Sequence, residues 1–246
     1  SYVGCFSHEY FNYSLSFQIT TPPKGDKFSI VTNAGGPGIV ATDAMENQGL
    51  QFSSYSEETL KKLSEGLPDE AALHNPVDII GDATPERYQY ALKTLYESPE
   101  DEVAGSLILL TPQAQTEPLE AAEVIAEVQE QFPERVTVAA FLGGKSVNEP
   151  AKVLTKSGVP TYPFPEEAVS VLKGLWKYKN ILEKPLITEK QVPRIDVDLE
   201  RVEEILKTVK EDSRTQLLSH EAAEVFEIYE INAPKSRLAT TAREAA

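Results

Sequence analysis

From Lys27 onward, short apolar runs alternate with stretches of helical periodicity, and this alternation limits the fold more than any other feature of the chain. Five runs read as strands: "FSIVTNA" (28–34), "LQFSSY" (50–55), "VAGSLILLT" (103–111), "VTVAAFLG" (136–143) and "PTYPF" (160–164). Helical patterns fill the intervals at 39–47, 57–65, 85–96, 118–131 and 147–156, and another follows at 166–182. Near-continuous apolar strands separated by helices indicate a parallel sheet covered on both faces. The expectation is an α/β fold, a flavodoxin-like three-layer sandwich with a five-stranded parallel sheet, over residues 27–184.

One connection differs from the others. "PDEAALHNPVDIIGDATPERY" (68–88) offers no strand beyond the short "PVDII". In a sheet of flavodoxin order this is where the chain crosses over, and such crossovers place ligands outside the carboxyl ends of the strands.

The flanks are of another kind. Within residues 1–26, Phe6, Tyr10, Tyr13 and Phe17 recur at helical spacing after Ser7, a plausible N-cap, and form an aromatic stripe suited to packing. Residues 185–198 are polar, proline-marked and aperiodic, which reads as a linker. Residues 199–246 carry helical patterns at 199–210 and 219–231, the second with Ser219 as N-cap and Glu221 and Glu224 at its positive end, and then "APKSRLATT" as a strand start. The first residue is Ser1, and the chain stops where a helix would begin, so a fragment of a longer protein is expected.

Charge removes some partners. With 23 basic and 39 acidic residues the net charge is −16, which repels nucleic acid and anionic membrane. Any phosphate group must therefore be held by local dipoles. A single cysteine, Cys5, excludes an internal disulfide framework, and no apolar run approaches the length of a membrane span, so a cytoplasmic chain is expected.

"TNAGGPG" (32–38) joins the first strand pattern to the first helix. Backbone N–H groups at a helix start form an anion site, and glycines let a ligand approach closely. Asn33, Ala34, Gly35, Gly36 and Gly38 are the expected phosphate-binding residues, with Pro37 at the first helical position and Asn33 contributing an amide. Rival readings fit less well. Gly36, Gly38 and Ala41 satisfy a dinucleotide fingerprint, yet no ribose-binding acid follows the second strand. A Walker loop would need Gly-Lys-Ser or Gly-Lys-Thr, and a receiver domain would need aspartates where the chain has "TNAGG" and "LTPQ". A bare strand-to-helix turn without a ligand is the remaining alternative.

Two further loops should reach the same edge, bringing Asn75, Asp78 and Gly81 from one and Thr111 and Gln113 from the other as the pocket rim. "LGG" (142–144) is a weaker contributor. Thr84 followed by Pro85 is also ordinary helix-start grammar. His74 and Asp78 are separated by Pro76 and do not form a helical metal pair, and His8 and His220 read as surface residues. No metal site and no catalytic residue is expected in this chain.

Several stretches together resemble the ADP-forming (NDP-forming) acyl-CoA synthetases of the succinyl-CoA synthetase superfamily: "KGDKFSIVTNAGGPGIVATDAMENQGL", "NPVDIIGDATPERYQYAL", "LLTPQAQTEP", "FLGGKSV" and "GVPTYPFPEEAVSVL". They are similar to the ligase-CoA domain of that family. "LLSHEAAEVFEIYEINAPKSRLATTAREAA" resembles the start of its ATP-grasp domain. The resemblance implies a reaction in which acid, CoA and ATP interconvert with acyl-CoA, ADP and phosphate through an acyl phosphate and a phosphohistidine. It also implies that the helix starting at Gly35 to Gly38 faces the phosphohistidine. The "Ser-His-Thr-Gly"-like motif bearing that histidine is not in this sequence, and none of His8, His74 or His220 inherits its role. CoA, ATP or ADP and Mg would be bound in the complete enzyme and not by this chain alone. The implied partners are phosphate or phosphohistidine, and CoA-binding, phosphohistidine and ATP-grasp domains of the same or another chain. Severed interfaces, including an exposed 6–17 face, would favour association into a homo-oligomer. Two alternatives stand beside this: a ligand-sensing module fused to a protein acetyltransferase, and a flavin or nucleotide binder of flavodoxin type.

Overall fold

The computed structural model describes residues 7–99, 102–184 and 197–234 together with 239, 241 and 243; for 7–10 only the backbone is described. The chain divides into two compact units, 1–184 and 185–246. Among the described residues, no helix is long and apolar enough to cross a membrane.

The first unit is built on a parallel sheet. Strands β1 (Lys27–Thr32), β2 (Gln51–Phe52), β3 (Val77–Asp78), β4 (Gly105–Leu110), β5 (Val136–Phe141) and β6 (Thr161–Tyr162) run in the order β2-β1-β4-β5-β6, with β3 also paired to β1. This is the expected flavodoxin-like order, with one small strand more than the five anticipated. β2 pairs with Lys27 and Phe28, β3 with Val31 and Thr32, and β4 lines the opposite side of β1. The chain thus changes side of β1 between β3 and β4, over residues 79–104, which the end of the connection singled out above begins.

Between β2 and β3 the side chain of Asn75 replaces the missing rung. Its Oδ1 accepts from Ile30 N at 2.9 Å and its Nδ2 donates to the Phe28 carbonyl at 2.8 Å. A carboxamide carries one donor face and one acceptor face, as a peptide does, so it carries the ladder from the Phe28 carbonyl, which also accepts from Ser53 N at 3.0 Å, on to Ile30 N.

Period-two alternation divides the core. Val31, Ile108, Leu110, Ala139 and Phe141 face one side, covered by α3 (Glu57–Gly66), α4 (Pro85–Glu97), α5 (Pro118–Gln131) and α6 (Asn148–Lys156). Phe28, Ile30, Leu107, Leu109, Val138 and Ala140 face the other, under α1 (Ser7–Ile19), α2 (Gly35–Asn47) and α7 (Pro165–Leu182).

Two expectations need correction here. The 6–17 stripe is not a free face throughout: Tyr13 is buried, its phenol bonds Ser170 at 2.9 Å, and its ring fills the space where a Cβ on Gly174 would stand, while Phe17 packs on Tyr178. Phe6 lies outside the described residues. The helix after β1 starts at Gly35 with Ala34 as N-cap, so Pro37 is its third residue and not its first. Proline is tolerated there because N–H groups of the first turn have no intrahelical acceptor.

The second unit contains α8 (Leu199–Glu211) and α9 (Ser219–Ile228). Leu218, not Ser219, is the N-cap of α9, and the Glu221 carboxylate accepts from Leu218 N at 2.7 Å. Arg214 donates to both Glu221 oxygens at 2.8 Å and holds that carboxyl at about 2, below the usual range. Residues 185–196 of the expected linker and most of the expected "APKSRLATT" strand start lie outside the described residues.

Candidate functional site

The three loops expected to converge do so at the carboxyl edge of the sheet. β1 ends at Thr32, whose hydroxyl donates to the Ala34 carbonyl at 2.8 Å and accepts from Ala34 N at 3.0 Å, folding the turn. The first intrahelical bond of α2 runs from Gly38 N to the Ala34 carbonyl at 3.2 Å. Ala34 and Gly38 thus have partners and Pro37 has no N–H. The amides of Gly35 and Gly36 remain as the donors of this helix start. Of the five residues expected from sequence to bind phosphate, these two carry the amides of the helix start that have no intrahelical acceptor.

Their glycine identity is informative. A Cβ on Gly36 would meet nothing within 4 Å, and one on Gly35 would make only ordinary contact, 3.7 Å from Asp78 Oδ2. Neither residue has the positive φ that favours glycine. Neither packing nor backbone conformation therefore requires glycine at either position, and without side chains the two amides lie open to close approach.

Asp78 stands beside the start of α2. Its Oδ1 accepts from Ile80 N at 2.9 Å and its Oδ2 lies by the start of α2, a helix with no acidic residue in its own first turn. A carboxylate there stabilises the positive helix end. Ile80 adopts φ 69°, a strained conformation for a β-branched residue, and Arg87 fixes the loop by donating to the Ile79 carbonyl at 2.8 Å and to Asp82 at 2.7 Å. A cavity of about 330 Å³ opens between Thr32, Gly35, Gly38, Ile39, Pro76 and Asp78. Ile39 and Pro76 did not stand out in the sequence, because apolar residues next to a helix start carry no local signal.

Three expected contributors are engaged elsewhere. The Asn33 amide is buried and pairs with the main chain of Thr111, Nδ2 donating to its carbonyl and Oδ1 accepting from its N–H, both at 2.9 Å. Gln113 Nε2 donates to the Asn33 carbonyl at 3.4 Å, and its side chain occupies the space in front of Gly81. Asn75 serves the β1 ladder. Gly143 and Gly144 of "LGG" line a separate cavity of about 530 Å³ with Lys145, Tyr162 and Phe164. Among the described residues, no three His, Cys, Asp or Glu side chains gather at metal-binding distance.

Comparison with known proteins gives a consistent result. Residues 28–184 match the ligase-CoA domain family. The chain is 35% identical over 222 residues to acetate–CoA ligase (ADP-forming) I of Archaeoglobus fulgidus, covering 90% of this chain and 31% of that one. It is 29% identical over 238 residues to 4-hydroxybutyrate–CoA ligase (ADP-forming) of Nitrosopumilus maritimus, covering 96% and 33%. Acetyl-coenzyme A synthetase 1 of Ca. Korarchaeum cryptofilum, solved with phosphate and ADP, superposes with a TM-score of 0.67 at 25% identity over 72% of this chain and 38% of that one. The chain thus spans about a third of the length of the curated relatives it matches.

Proposed function

We propose that this chain, which belongs to the ligase-CoA domain family, supplies the phosphoryl-binding helix start of an ADP-forming acyl-CoA synthetase. The observation that carries the reading is the pair Gly35 and Gly36: two N–H groups without intrahelical acceptors, on residues whose lack of a side chain the fold does not need. In the complete reaction, phosphate displaces CoA from acyl-CoA to give an acyl phosphate. The phosphoryl group passes to a histidine with release of the acid, and then to ADP. The Gly35 and Gly36 amides donate to phosphoryl oxygens during transfer, and the α2 dipole favours their charge.

The remaining parts follow from the same reading. The histidine, CoA, ATP or ADP and Mg belong to companion domains in the same chain or another, and residues 217–246 begin the ATP-grasp domain. The chain by itself does not turn over. Thr111, Gln113 and Gly81 shape the rim from behind, and Asp78 flanks the amides. The protein is cytoplasmic. The ligase reading is favoured over a sensory module because the named relatives are ligases.

A phosphate titration followed by amide NMR tests it. A helix start offers an anion up to about 2 kcal/mol, so free phosphate should bind weakly, in the millimolar range or above. Saturable shifts centred on Gly35 and Gly36, abolished in Gly35→Asp, are expected. Shifts absent from both amides, or spread evenly over the surface, would refute the reading.

A further inference from the structure

We propose that Asn33 is a positioning residue that sets the direction of the Gly35 and Gly36 amides through the main chain of Thr111, and is not itself a ligand of the phosphoryl group. As a statement about the anion site it rests on the reading above. Asn33 stands between the last residue of β1 and the N-cap of α2, so its orientation determines where the first turn of the helix points. The residue is 1% exposed, and both carboxamide atoms are engaged with Thr111 at 2.9 Å. The Asn33 carbonyl receives Gln113 Nε2, and Gln113 is seated where a Cβ on Gly81 would come within 2.7 Å of its Oε1. A chain of contacts therefore runs from the 78–84 loop through Gln113 and Asn33 to the helix start.

The residue type follows from the partner. Thr111 presents an N–H and a carbonyl side by side, and a carboxamide matches both. A carboxylate in place of the Asn33 amide would turn an acceptor toward an acceptor, and an alkyl group would leave both unpaired. The first residue of the β4–α5 connection thereby anchors the β1–α2 turn to the neighbouring strand. The Thr32 hydroxyl, which bonds only within the turn, cannot do this.

The test is to measure N–H residual dipolar couplings of Gly35 and Gly36 without phosphate, and then phosphate affinity, in the wild type, Asn33→Asp, Asn33→Ser and Arg135→Met. Arg135 lies at the opposite edge of the sheet and serves as a destabilised control. Both Asn33 variants should change the two couplings and weaken phosphate about tenfold, part of the roughly thirtyfold that a helix start can contribute. Arg135→Met should lose thermal stability and keep both readouts. If Asn33→Asp does not fold, Asn33→Ser carries the test. Couplings unchanged in a folded Asn33 variant would overturn the proposal whatever the affinity. Changed couplings with no phosphate binding in the wild type would sustain the positioning role and refute the functional reading. Equal changes in Arg135→Met would reduce Asn33 to a general stabiliser and overturn the proposal.

Discussion

The two edges of the sheet use the same device to different ends. At the amino edge, buried Arg135 donates to the carbonyls of Val103, Tyr96 and Ser98, and so closes the carboxyl end of α4. Gln129 donates to the Phe132 and Arg135 carbonyls and accepts from Thr137 N. Tyr96 joins the Val136 carbonyl and the Thr137 hydroxyl. These side chains satisfy the chain ends around them. At the carboxyl edge Asn33 and Gln113 also bond main chain, yet the turn they hold leaves the amides of exposed Gly35 and Gly36 without intrahelical acceptors. Buried polar side chains mark a site only where the backbone they fix still has donors to offer.

If that contrast is correct, Arg135→Met should have the largest effect on stability and the least on anion binding. Three buried carbonyls lose a cationic donor at once, which should cost roughly 3 kcal/mol or more in denaturant unfolding. A loss below about 1 kcal/mol would mean that the amino edge is not closed by this residue.

Glycines sharpen the same comparison. A Cβ on Gly105, at the amino end of β4, would stand 2.4 Å from the Val136 carbonyl oxygen, a backbone atom that cannot turn aside. Gly105→Ala should destabilise by about 1–3 kcal/mol. Glycine there is required by packing, unlike glycine at position 36.

Alkali should act next. Burial pushes the Tyr96 phenol up to about 12, with its bond to the Thr137 hydroxyl pulling the other way. A folded value above the unfolded one of about 10 means that the folded state holds the proton longer. Its stabilisation is complete below pH ~10 and falls as pH rises toward ~12. Burial raises Tyr162 to about 12 as well, so the slope has more than one source. Tyr96→Phe should reduce the alkaline slope without abolishing it, and cost about 1 kcal/mol at neutral pH for the lost bond. An unchanged slope would show that this phenol is not protected by the amino edge.

Much of this architecture was legible in the sequence. β1, β4 and β5 announce themselves because strands buried on both faces are apolar at nearly every position. The crossover that follows β3 could be located because the connection leading into it lacked such a run. The short strand β3 falls inside "PVDII", the one candidate that connection offered; its place beside β2 on the same flank of β1 was not legible, since a side-chain amide completing a ladder leaves no periodicity, and Asn75 reads locally as a turn residue. The start of α2 was placed late because glycine is a poor helix former and proline is expected at the first position. At the site, the turn and its rim loops could be found from strand ends alone. The direction of the Asn33 side chain could not, because it depends on Thr111, seventy-eight positions away. Arg135 passed unnoticed for the same reason: its partners are carbonyls that only the fold assembles.

Gly36→Ala tests the central claim most directly. The new methyl group would meet nothing in the folded chain, so denaturant unfolding should shift by no more than about 0.5 kcal/mol. Phosphate titration on the same sample should show weakened binding, because that methyl group stands beside one of the two open amides. Intact stability with diminished phosphate affinity is the predicted result. Unchanged affinity in a stably folded Gly36→Ala protein would contradict the account and leave the glycine turn as structure alone.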